Sequence, residues 1–139
     1  MDVVDTATRS KMMSGIRGKD TKPEMQVRRF LHARGYRYRL HRTDLPGKPD
    51  LVLTALKTCV FVHGCFWHRH VGCRYASQPK TRVDFWDDKF KKNVARDLAN
   101  IQELEDLGWR TLIVWECQLR ADKFALEKLL VTLEQIREE

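Results

Sequence analysis

The chain has 139 residues, with 26 Lys and Arg against 19 Asp and Glu, and a formal net charge of +7. That length suits one domain, residues 1–139, with a core of its own and no need of covalent staples. No apolar run is long enough to cross a membrane, and the first residues lack the apolar segment of a signal peptide, so a soluble cytoplasmic protein is expected rather than a membrane or exported one.

The elements follow in chain order. Residues 8–16 predict a short helix ended near Gly15 or Gly18. Residues 21–34 predict a second, with Thr21 as N-cap, Pro23 and Glu24 in its first turn, and Gly35 as its stop. The run YRYRL at 36–40 alternates as a half-buried strand does, and LPGKP at 45–49 is a turn. DLVLT at 50–54 and TCVFVH at 58–63 predict an antiparallel hairpin. Residues 64–82 are irregular, and a loop of that length in a small domain is usually functional. A long helix over 83–107, closed by Gly108, leads to a buried strand at 110–116 and an amphipathic helix over 122–139. This order implies an α/β fold, a mixed central sheet flanked by helices.

The basic residues are clustered. Arg9, Lys11, Arg17, Lys19 and Lys22 open the chain, five arginines follow between 28 and 39, and Lys89, Lys91 and Lys92 form a second group. Most are solvated surface, but the excess favours an anionic partner, nucleic acid first. Residues 1–20 are expected to form a mobile segment that touches it.

Asp50 directly follows Pro49 at the mouth of a predicted strand. Proline cannot donate to a ladder and holds its neighbour extended, so the carboxylate lies at the strand end, where ligands meet a sheet. A turn aspartate bonded to its own backbone is the plainer reading. Yet a Pro-Asp opening one strand of a β-β-β-α-β run resembles the PD-(D/E)xK core of restriction-endonuclease-like nucleases. That resemblance implies a divalent ion on the aspartate, with an acid and a lysine on the next strand. Here that strand ends Phe61-Val62-His63-Gly64, with neither, and histidines stand nearby.

The four cysteines, Cys59, Cys65, Cys73 and Cys117, suit metal ligation or small buried apolar roles in a reducing compartment. His70 and Cys73 have a spacing that lets two side chains converge on one ion. Asp97 falls on the apolar stripe of the long helix, between Val94 and Ile101, and a buried carboxylate needs a cation. Arg96 or Arg110 would serve, and so would a metal. Cys117 lies where the last strand stops. The expected structural zinc site is therefore His70, Cys73, Asp97 and Cys117, with Cys59 and Cys65 as spare thiols.

His63 and His68 are then free for proton transfer near neutral pH. With Asp50 they could divide the tasks of phosphodiester hydrolysis. Glu24 is a further acid or orienter, or simply a favourable charge in the first turn of a helix. Phe66 and Trp67, between the histidines, suit wedges that unstack a base step as well as core packing.

The segments TRSKMMSGI, DTKPE, LPGKPDLV, FVHGCFWHRHVGC, TRVDFW, KNVARD, LGWR and VWECQLR, in this order up to about Arg120, closely resemble the very short patch repair (Vsr) endonucleases. The resemblance implies strand nicking on the 5′ side of the thymine in a T·G mismatch, which arises when 5-methylcytosine deaminates. It implies Mg²⁺ on Asp50 and on the main-chain carbonyl of Val62, His68 at the attacking water, and His63 and Glu24 in support. It implies zinc on His70, Cys73, Asp97 and Cys117. Phe66, Trp67 and Trp86 would be the wedges, with Met13, Lys89 and Asn93 near the mispair. The implied partners are mismatched duplex DNA and, functionally, a cytosine methyltransferase and mismatch-repair proteins, for a nucleoid-associated monomer. The rival expectations are a nuclease of the same core acting on another DNA structure, and a zinc-stapled DNA-binding module without catalysis. Two positions depart from the family pattern: Val62 stands where a Thr is common, and Val71-Gly72 adds a residue before Cys73.

Overall fold

The computed structural model describes residues 20–139. The helix expected over residues 8–16, Met13 and all but Asp20 of the segment expected to contact DNA lie outside the described residues.

Helix α1, Lys22–Ala33, begins as its sequence dictates. Thr21 Oγ1 accepts the Glu24 N–H at 3.4 Å, and Pro23 occupies the first turn, where a missing N–H costs nothing. Glu24, Val27 and Leu31 share its buried face. The helix ends in a Schellman motif: Gly35, at φ 86°, donates to the His32 carbonyl, and Tyr36 donates to the Leu31 carbonyl. That motif also explains a shortened strand. Tyr36 spends its N–H on the helix and its hydroxyl on Glu134 at 2.6 Å, so β1 is only Arg39–Leu40 rather than 36–40.

Strand β2 is Leu51–Leu53 and β3 is Thr58–His63. A single 3-10 turn, Thr54–Leu56, and Lys57 at φ 51° join them into the expected hairpin, with Leu51 opposite Val60 and Leu53 opposite Thr58. Helix α2, Val83–Asp106, then carries the chain to β4, Arg110–Trp115. β4 lies parallel to β3, with Thr58 beside Arg110 and His63 beside Trp115, and the sheet order is β1-β2-β3-β4. A short helix α3, Glu116–Ala121, starts directly at the end of β4, where only a strand end was expected. Gln118 Oε1 turns back to accept the Trp115 N–H at 3.1 Å and fixes that junction. Helix α4 is Ala125–Glu138.

Strand alternation sorts two cores onto the two faces of the sheet. Leu51, Leu53, Val60 and Val114 pack with Val27 and Leu31 of α1 and Leu129 and Leu133 of α4. Val52, Cys59 and Phe61 pack with Leu45 and with Leu104 of α2, and Trp109 and Ile113 close that side. Burying one such leucine contributes about 1.5–3 kcal/mol, and the sheet is held by burial on both faces. By the same alternation His63 shares the face of Phe61, against α2. That places it where α2 can present Asp97.

Candidate active site

The site forms where β3 runs out. Beyond the Leu51–Val60 pair the Val62 N–H is taken by a side chain: Asp50 Oδ2 accepts it at 2.7 Å. Asp50 is therefore held at the sheet end, as Pro49 predicts. Its side chain is 23% exposed. Burial pushes its carboxyl up to about 6; Glu24 adds to the rise, while the Val62 N–H and the nearby His41 and His68 oppose it.

Glu24 faces the same cleft at 1% exposure. Its oxygens accept from the Asp20 N–H at 3.2 Å, Arg28 Nη1 at 3.3 Å and His41 Nε2 at 2.9 Å. A carboxylate this buried is stable only with its lone pairs filled in this way. Sequence reasoning missed His41, which follows the two-residue strand β1. Nothing in its local pattern marked it, and only the fold brings it to Glu24.

His63 is 5% exposed and lies face to face with His68, ring centroids 3.7 Å apart. Burial pushes its imidazole down to about 3, helped by the neighbouring His68, so it is neutral at physiological pH. Its Nδ1 has no hydrogen-bond partner among the described residues. His68 Nδ1 lies 2.6 Å from Asp97 Oδ2. A carboxylate on one ring nitrogen selects the tautomer that carries its proton there, which leaves Nε2 as the basic atom.

That pair corrects the expected metal set. Asp97 does need a cationic or hydrogen-bonding partner, and among the described residues that partner is His68, not Arg96 or Arg110. Cys65 takes the fourth position with His70, Cys73 and Cys117, the four donor atoms all lying within 4.8 Å of one another. Cys117 Sγ is 3.3 Å from His70 Nδ1, and the Cys117 N–H points at Cys65 Sγ at 3.4 Å. The signal was in the strand register. His63 beside Trp115 sets an offset of 52 between β3 and β4, and the same offset pairs Cys65 with Cys117. Gly72, at φ 72°, sits in a tight turn in which the Cys73 N–H donates to the His70 carbonyl at 3.3 Å. Three sulfurs and one imidazole around one point fit a closed tetrahedral zinc site better than a set with one carboxylate.

Trp115 links the two groups. Its ring stacks on His70 at 4.1 Å, and His63 meets it edge-on at 5.2 Å.

The aromatic wall stands beside these histidines. Phe66, Trp67, Trp86 and Phe90 make edge and stacked contacts at 5.0–6.0 Å. Phe66 and Trp86 are half-buried at the cleft, while Trp67 is 9% exposed and seated in the wall. Arg69 braces the loop from behind: it lies 3.9 Å over the Phe90 ring and donates to the carbonyls of Phe66, Ala76 and Ser77. Asn93 is buried. It donates to the Trp67 carbonyl at 3.4 Å and accepts from Arg96 at 3.1 Å, so its amide is engaged within the protein. Lys89 is half-buried on α2.

Asp50, Glu24, His63, His68, Asp97, Phe66 and Trp86 all line one open cleft of about 1860 Å³, with Arg29, Lys48, Arg96 and Arg120 on its margin. An acid at a sheet end, a histidine–carboxylate pair and an aromatic wall in a basic cleft define a nuclease-type hydrolase. The chain belongs to the family whose model is described as DNA mismatch endonuclease Vsr, which matches residues 1–74. It is 47% identical over 129 residues to the type II nicking enzyme V.XorIIP of Xanthomonas oryzae pv. oryzae, covering 93% of each chain. It is 43% identical over 137 residues to the type II nicking enzyme V.NmeAIP of Neisseria meningitidis, covering 99% of this chain and 97% of the relative. It is 45% identical over 135 residues to the DNA mismatch endonuclease Vsr of Escherichia coli, covering 96% and 86%. It is a DNA-nicking endonuclease of mismatch repair.

Proposed function

We propose that this chain nicks duplex DNA on the 5′ side of the thymine of a T·G mispair, the lesion left when 5-methylcytosine deaminates. The observation that carries the reading is the meeting of Asp50 and the His68–Asp97 pair on one cleft beside the aromatic wall. His68, with its Nδ1 proton held by Asp97, takes a proton from the attacking water at Nε2. His63, neutral and stacked on His68, fixes the plane of that ring. Asp50 and the Val62 carbonyl are the groups that would hold Mg²⁺, with Glu24 in support. The ion, when bound, would neutralise charge on the scissile phosphate.

Cys65, His70, Cys73 and Cys117 would hold zinc, which in a closed set of four ligands is structural. Phe66 and Trp86 stand at the cleft to enter a base step; Trp67, seated behind them, supports the wall before it could act as a wedge. Lys89 on the same helix would meet the backbone near the mispair, and Asn93 would act through Trp67. The substrate's origin ties the activity functionally to a cytosine methyltransferase.

Asp50→Ala and His68→Ala should each reduce nicking of a T·G duplex in Mg²⁺ by at least about 10²-fold. Binding of the duplex should stay within a few-fold of wild type. Wild-type nicking by either variant removes the assignment, and a wild-type protein that binds but never nicks would be a zinc-stapled DNA-binding module.

A further inference from the structure

His41 stands between the two carboxylates of the candidate metal site. Its Nε2 is 3.0 Å from Glu24 Oε1, 2.9 Å from Glu24 Oε2 and 3.9 Å from Asp50 Oδ1. Its backbone N–H donates to the Asp50 carbonyl at 3.2 Å. Its own backbone is left-handed, at φ 47°, a region that a histidine visits only when its surroundings hold it there.

The requirement comes from Glu24. The other donors on that carboxylate are the Asp20 N–H and Arg28, both on the side of the α1 N-terminus. His41 supplies the donor on the side of Asp50. Without it, the Glu24 oxygens are free to turn toward Arg28, whose guanidinium also holds Asp20 at 2.6 Å. Asp50 and the acid that supports it would then be out of register before the cation arrives.

We propose that His41 is a positioning residue that holds Glu24 and Asp50 at the spacing a divalent cation needs, and so sets how much Mg²⁺ the enzyme requires. The proposal rests on the reading that Asp50 is a metal ligand. The role needs a donor at the place of Nε2. A glutamine side-chain nitrogen lies the same number of bonds from Cβ, so it reaches that place. An asparagine accepts the left-handed backbone but is too short.

The experiment compares wild type, His41→Gln, His41→Asn and Asp50→Ala. Nicking of a T·G duplex is followed across a Mg²⁺ series, and Mn²⁺ binding to the DNA-free protein is followed by the electron spin resonance of the free ion. His41→Asn should raise the half-saturating Mg²⁺ concentration about tenfold, with a parallel loss in Mn²⁺ affinity, while the rate at saturating Mg²⁺ stays within about threefold. His41→Gln should restore both to within about twofold. A shared Mg²⁺ dependence for wild type and His41→Asn overturns the proposal, as does a His41→Gln that behaves like His41→Asn. A loss of saturated rate at unchanged half-saturation also overturns it. Asp50→Ala separates the two levels: if it nicks and binds Mn²⁺ like wild type, the underlying assignment of Asp50 is what fails.

Discussion

Asp50 shows how the site sets aside fold stability for chemistry. Its carboxyl titrates at about 6, against an ordinary 3.8, because burial disfavours the charge more than the Val62 N–H favours it. The unfolded chain therefore loses this proton at lower pH than the folded one. Between about pH 4 and 6 the folded state binds more protons, so metal-free stability falls as pH rises through that window. Above it the full cost, on the order of 3 kcal/mol, is present. Asp50→Asn should abolish nicking and raise the melting temperature of the metal-free protein above pH 6, with little change near pH 4. Melting curves across pH for the two proteins check this. A decline of equal depth in the Asn variant would show that another group carries it.

At the scale of elements, the parallel pairing of β3 and β4 builds both polar groups at once. It brings Cys65 to Cys117 just beyond the strand ends, and it sets His63 against Trp115, which stacks on His70. Helix α2 then offers Asp97 to His68 rather than to the sulfurs. The division predicts opposite outcomes for two substitutions. Asp97→Asn should keep full zinc content and lose roughly 10²-fold in nicking rate, since only the orientation and basicity of His68 change. Cys65→Ser should lose the metal and destabilise the fold, with residues 64–82 the first to exchange their amide hydrogens. Plasma emission for zinc and hydrogen exchange decide it. Zinc loss from Asp97→Asn with retention in Cys65→Ser would restore the aspartate to the ligand set.

Across the whole molecule, the charge of +7 and the basic margin of the cleft divide binding from recognition. Lys and Arg contacts to phosphate supply affinity without sequence, and they weaken as added salt reduces the gain from releasing condensed counterions. On the proposed reading the aromatic wall would supply discrimination, since unstacking costs least at a mispair. Phe66→Ala should therefore bind a T·G duplex about 10-fold or more weakly, while its affinity for matched DNA and the salt dependence of both remain near wild type. Fluorescence anisotropy at several salt concentrations measures all of these. An equal loss on matched DNA would make Phe66 a general contact rather than a mismatch reader.

How much of this was legible depends on the range over which each feature is set. Local chemistry wrote the α1 caps, the hairpin, the long loop and the length of α2, because Thr21, Pro23, Gly35 and the period of the apolar residues act within a few positions. It also wrote Asp50 at a strand mouth and three members of the candidate metal cluster, His70, Cys73 and Cys117. The choice of Cys65 over Asp97, the shortening of β1 by the Tyr36 cap and the place of His41 beside Glu24 were decided only by tertiary structure. Each depends on the lateral register of strands or on which side of a helix meets the sheet. Those are long-range outcomes of core packing, so a carboxylate on a helix stripe takes its partner only once two distant segments have come together.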